Sequence, residues 1–155
     1  MSEAAAENNQ PIFNVEKIYV RDLSLEIPNA PKIFLTRESP QVDIQLHTQA
    51  VSIEEGLFEV LVKATVTAKV GEKTMFLVEV EEAGIFQIRN VPTEELEPIL
   101  AVMCPNILFP YLREVVSDVV VRGGFSPVLL NPVNFDSIYQ QQKQQAQSDS
   151  APTTH

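Results

Sequence analysis

The chain has 155 residues and 17.3 kDa, with 21 Asp and Glu against 11 Lys and Arg and a formal charge of −10 at pH 7. That length suits one domain with a single core, and the acidic balance works against nucleic-acid phosphates and anionic membrane surfaces. No run reaches the roughly 18 uncharged apolar residues of a bilayer span, the opening MSEAAAENNQ is no secretory signal, and the lone Cys104 can form no internal disulfide, so a cytoplasmic chain is expected.

Residues 1–10 hold little to bury and are expected to be a disordered tail ahead of one domain over 11–142. From Ile18 to Ile27, Tyr19, Leu23, Leu25 and Ile27 fall on one face with Arg21, and Asp22, Ser24 and Glu26 on the other, a strand with one wet, acidic face. From Gln41 to Ala50, Val42, Ile44 and Leu46 alternate with Gln41, Asp43, Gln45, His47 and Gln49, a half-buried strand. From Leu57 to Val70, Phe58, Val60, Val62, Ala64, Val66 and Ala68 oppose Glu59, Lys63, Thr65, Thr67 and Lys69, with Leu61 the exception on the wet side. Val70-Gly71-Glu72-Lys73 predicts a hairpin turn into a strand where Phe76, Val78 and Val80 alternate with Met75, Leu77, Glu79 and Glu81.

Helix patterns follow the strands, the order of an α+β domain in which an antiparallel sheet is covered on its apolar face. Thr93 can cap a helix whose first turn carries Glu94, Glu95 and Glu97. Pro105 predicts a break near Met103 to Cys104, after which Asn106 can cap a second helix. There Leu108, Leu112, Val115, Val116, Val119 and Val120 recur at intervals of three and four, and Gly123-Gly124 ends the run. That apolar face is wider than one small sheet can bury, which points to a subunit interface. The Gln-rich start of the C-terminal segment can prolong a short helix, and 143–155 is expected to be a disordered tail.

Few residues offer chemistry. His47 lies on the polar face of a strand and His155 ends the chain, so neither is held beside a nucleophile. Cys104 lacks a CxxC partner and a basic neighbour, which reads as an inert buried thiol. No metal-ligand spacing and no phosphate-cradling glycine loop is present in the sequence, and Glu79, Glu81 and Glu82 read as a solvated strand end. What remains is surface, with Phe34, Phe76, Phe86, Phe109, Tyr111 and Phe135 among its aromatic candidates, and binding is the residual function.

The runs IPNAPKIF from Ile27, FLVEV from Phe76, GIF from Gly84, CPNILFPYLRE from Cys104 and NPVNFDSIY from Asn131 resemble the SecB family of bacterial protein-export chaperones. The resemblance spans about Phe13 to Tyr139. It implies an α+β protomer with a four-stranded antiparallel sheet packed on helices, assembled as a homotetramer, a dimer of dimers with the helices inside. It implies no enzyme activity, no cofactor and no metal. The activity implied is ATP-independent holding of unfolded secretory precursors, which are passed to the SecA motor ATPase of the translocase. Client-groove positions carried over by the resemblance are Val42, Ile44, Leu46, Phe76, Tyr111 and Phe135. Glu38 stands where other members carry an aromatic. The SecA surface carried over is Asp22, Glu26, Leu77 and Glu79, an acidic face that accepts a basic, zinc-containing tail. Three other readings stay open: a small-molecule carrier with an apolar cavity, an enzyme built on inward-facing carboxylates, and a SecB-like chaperone serving a toxin–antitoxin system.

Overall fold

The computed structural model describes residues 9–149. Four strands, β1 (Ile12–Glu26), β2 (Gln41–Glu54), β3 (Leu57–Val70) and β4 (Lys73–Arg89), form one antiparallel sheet in the order β1-β4-β3-β2. Val70 pairs with Lys73, so Gly71 and Glu72 alone make the β3–β4 turn, and Gly71 takes a φ of +61° that a side chain would resist. Because β1 pairs with β4 and not with β2, the chain crosses from one sheet edge to the other through Ile27 to Pro40, which includes a short 3-10 turn at Lys32–Leu35.

The strand faces follow the alternation with one correction. The pairing of β1 with β4 slips at Val15/Lys17 and again at Val20/Asp22, two bulges that each insert a residue. The second reverses the alternation at Arg21, so Tyr19 lies opposite Ala83 on the outer face, with Asp22, Ser24 and Glu26, and not with Leu23 and Leu25. There its hydroxyl donates to Glu59, which Arg21 also meets at 2.9 Å, and burial together with that carboxylate pushes the phenol up to about 12. Leu61 is on the outer face as expected but buried, in a cross-strand row with Ala83 and Tyr19.

The predicted break in the helix does not occur. Thr93–Pro98, Ile99–Met103 and Cys104–Arg122 form one continuous helix, and the middle segment is π-helical. Pro105 has no N–H and its ring crowds the carbonyl four residues back. Widening the preceding turn, so that the Cys104 N–H reaches Ile99 O, carries the helix through the proline instead of ending it. Thr93 is therefore the first helical residue, behind Pro92, and Asn106 lies inside the helix, so neither caps it. The C-terminal end matches expectation: Gly124, at φ +91°, donates to Val121 O and Phe125 donates to Val120 O, the two bonds of a Schellman turn.

Leu108, Leu112, Val116 and Val120 from the long helix and Val60, Val62, Val78, Val80 and Phe86 from the sheet are fully buried in one core. By length and composition the helix could cross a bilayer, its most apolar 18-residue window having a mean hydropathy of 1.4, and 33% of that window is buried in this chain. Val119 and Val120 belong to the chain's own core, so the surplus apolar surface lies elsewhere on the helix, at Met103, Tyr111 and Val121. The helix packs on β4 and β3 and leaves both sheet edges uncovered on the helix side, at Val15, Val20 and Leu23 of β1 and at Val42 and Ile44 of β2. A second helix, Phe135–Asp149, starts where Asn134 Oδ1 accepts the Ser137 N–H at 3.0 Å. Its Phe135 packs edge-on to Phe109 at 5.9 Å. Residues 143–149, expected in a tail, are thus helical, whereas 1–8 and 150–155 of the expected tails lie outside the described residues.

Candidate functional site

A groove of about 400 Å³ opens at one end of the sheet. Its walls come from four places: Ile33, Phe34 and Thr36 after β1, Pro40 and Val42 entering β2, Met75 and Phe76 entering β4, and Gly124 to Val128 after the long helix. The left-handed turn at Gly124 aims Phe125 into this space, where its ring stacks on Phe34 at 5.2 Å and meets Phe76 at 4.8 Å. On the opposite side of the same crossover, Asn29 Nδ2 donates to Thr74 O at 2.9 Å and pins the PNAP segment to β4. The result is an aromatic hollow, with Phe76 buried at its floor and Phe34 half-exposed at its rim.

The groove continues along β2. Val42, Ile44 and Leu46 pair with Ala68, Val66 and Ala64, and so lie on the helix side of the sheet at its free edge. Further along, Thr48 and Ala50 face Leu96, Leu100 and Ala101 of the long helix across a second hollow of about 350 Å³. From Val42 to Ala50 a strand rises ~26 Å, room for about eight residues of an extended chain. Apolar side chains line the path, and the β2 edge has no neighbouring strand within the chain.

Of the six expected groove residues, Val42 and Phe76 line the aromatic hollow and Ile44 and Leu46 extend it. Tyr111 projects from the long helix, half-exposed and outside the hollow, and Phe135 is buried against Phe109, so neither touches the groove. Glu38 is exposed on the loop between Thr36 and Pro40. Phe125 was not singled out from the sequence. An aromatic directly after a Gly-Gly helix stop was the available signal, since such a turn fixes where the next side chain points.

The opposite face of the sheet gathers the acidic set. Glu26 pairs with Leu77, Ser24 with Glu79 and Asp22 with Glu81, so the four expected residues Asp22, Glu26, Leu77 and Glu79 form one patch across β1 and β4, joined by Glu81. Lys63, paired with Glu81 from β3, borders it.

Reactive chemistry is poorly served. Burial pushes the Cys104 thiol up to about 12, which leaves almost no thiolate at neutral pH. His47 is exposed on the outer face of β2, and among the described residues no three His, Cys, Asp or Glu side chains converge as metal ligands. Glu82 is not at a solvated strand end: β4 continues to Arg89, and Glu82 is buried on the helix side. It lines neither of the two hollows described above.

The family model described as preprotein translocase subunit SecB matches residues 6–146. A protein-export protein SecB of Methylobacillus flagellatus is 60% identical over 99% of this chain and 98% of its own length. That of Nitrosomonas eutropha is 63% identical over 88% of this chain and 87% of its own. A SecB-like chaperone of Mycobacterium tuberculosis, solved with an antitoxin peptide, superimposes with a TM-score of 0.65 over 85% of this chain and 95% of its own at 19% identity, a likeness of fold. Matched over nearly its whole length by these relatives and by the family model, the chain belongs to the SecB family of preprotein translocase subunits.

Proposed function

We propose that the protein is an ATP-independent export chaperone that holds unfolded secretory precursors in the cytoplasm. The observation that carries this reading is the Phe34–Phe76–Phe125 hollow continued by Val42, Ile44 and Leu46 along a free strand edge. An unfolded chain exposes scattered apolar side chains and unpaired backbone, so a groove that accepts an extended segment without demanding a polar pattern suits many clients. A native protein has buried both features and offers nothing to such a groove.

Two further parts of the function rest on the same family membership. The patch of Asp22, Glu26, Leu77, Glu79 and Glu81 suits a basic, zinc-bearing tail of the SecA motor, because several carboxylates around one apolar side chain attract and seat a cationic segment. A homotetramer, built as a dimer of dimers, would cover the helix-side residues of β1 and the half-exposed Met103, Tyr111 and Val121. The test is retardation of refolding of a reduced secretory precursor diluted from urea. The protein should slow it at stoichiometric protomer, and a Phe34→Ala/Phe125→Ala variant should lose most of that effect. Equal retardation by the double variant, with its fold and mass unchanged, would move the client site away from this hollow.

A further inference from the structure

Glu82 is the one acidic residue of the described chain held in the interior, at 3% exposure, and its Oε2 has no hydrogen-bond partner. It shares the helix-side face of β4 with Val78, Val80 and Phe86. Two residues on, Gly84 lets Leu108 of the long helix approach to 3.0 Å from where a Cβ would stand. Among the described residues of the protomer, the groups around it supply no cation. β1 presents Val20 and β3 presents Val62 across the strands. Arg21 is engaged by Glu59 on the outer face, and Lys63 lies on that face too. On the long helix Arg113 donates to Leu130 O and lies over the Phe109 ring, Arg122 pairs with Asp118, and Cys104 is a neutral thiol. The charged group that does act on Glu82 is the carboxylate of Glu114, from the helix itself.

We propose that Glu82 is a proton-controlled latch between the sheet and the long helix, closed as the neutral acid and loosened once it ionises. An unpaired carboxylate against an apolar helix is far costlier than the neutral acid, and Glu114, exposed on the far side of the helix, adds a smaller like-charge repulsion. Burial first, then Glu114, pushes the Glu82 carboxyl up to about 7 from an ordinary value of 4.5. The closed state therefore binds a proton that the open state releases. The latch's contribution is full below the ordinary carboxylate range and is lost as pH rises to about 7. What moves matters, because Gly124 to Val128, one wall of the aromatic hollow, follow the helix directly. The latch would thus tie the shape of that hollow to pH across the neutral range, whatever the hollow binds.

The test is hydrogen exchange of the amides of 104–122 in the assembled protein, corrected for intrinsic rates, together with carboxyl NMR of Glu82 assigned through Glu82→Gln. Between pH 6 and pH 8 wild-type protection should fall about tenfold, with a Glu82 inflection above pH 6. Glu82→Gln should hold its protection across that range, and Glu114→Gln should lower the inflection of Glu82. A Glu82 inflection in the ordinary carboxylate range would overturn the latch, as would an equal loss of protection in Glu82→Gln. Should Glu82→Gln fail to fold, the wild-type inflection and its displacement by Glu114→Gln decide the matter.

Discussion

The adjacent glycines at the end of the long helix should respond unequally to alanine. Gly123 has φ −75°, ordinary helical backbone, and a Cβ there would meet the tip of Leu25 and the Val120 carbonyl at 3.3 Å and the Phe125 ring at 3.4 Å, contacts that small shifts relieve. Gly124 has φ +91°, and its Cβ would meet Phe34 Cε1 at 3.1 Å. An L-residue in left-handed backbone costs ~1–2 kcal/mol. For a chain of this size that corresponds to a fall in melting temperature of roughly 2–8 °C, at ~2–4 °C per kcal/mol. Phe34, half-exposed, can swing away from the new methyl, but only by giving up its stack on Phe125. Such a pair is worth ~0.5–1.5 kcal/mol, so client capture should weaken by up to about tenfold in addition. Thermal unfolding at fixed protomer concentration and a precursor-refolding titration should therefore separate the two variants. Gly123→Ala should stay within about 0.5 kcal/mol of wild type, as a residue with no special backbone demand does, and should capture clients normally. Gly124→Asn should recover part of the lost stability, because Asn tolerates left-handed backbone. A Gly124→Ala protein that melts and captures like wild type would show that the turn does not hold Phe125 in place.

Val120→Asp, at 0% exposure in the chain's own core, should unfold the protomer, since an unpaired buried charge costs several kcal/mol. Val121→Asp, at 50% exposure, should keep the fold by circular dichroism and lower the native mass; an unchanged mass would remove Val121 from the subunit interface. Replacing Asp22, Glu26 and Glu79 with Ala should abolish calorimetric docking of the SecA tail and leave precursor holding intact, and wild-type docking should weaken with added salt. Docking that survives all three changes at physiological salt would reduce the patch to a solubility device. Cys104 should react with a thiol reagent at pH 8 only when the protein is unfolded by urea, because burial holds it neutral; rapid native-state labelling would contradict that burial.

Period-two alternation is a local property, so β3, most of β2 and the first half of β4 were legible from their residues, and so were the Gly71 turn and the acidic set of Asp22, Glu26 and Glu79, whereas the run of β4 past Glu82 to Arg89 was not. The expected client positions Val42, Ile44, Leu46 and Phe76 came from family resemblance joined to that alternation. What escaped the sequence depended on partners distant along the chain. The bulge that turns Tyr19 outward exists because β1 must stay in register with β4, more than 60 residues away. Pro105 reads locally as a helix stop, yet burial of Leu108, Leu112 and Val116 against the sheet outweighs the lost hydrogen bond, and a π turn absorbs the ring. Phe135, aromatic and inside a family signature, packs against Phe109 and not in the aromatic hollow, a placement that only the fold decides. Glu82 differs from Glu81 in nothing but parity, and only the helix laid over its face makes one a solvated acid and the other a buried one. Local pattern determines which side of a strand a residue takes, whereas the tertiary contacts decide what that side meets, and burial, charge state and groove shape all belong to the second.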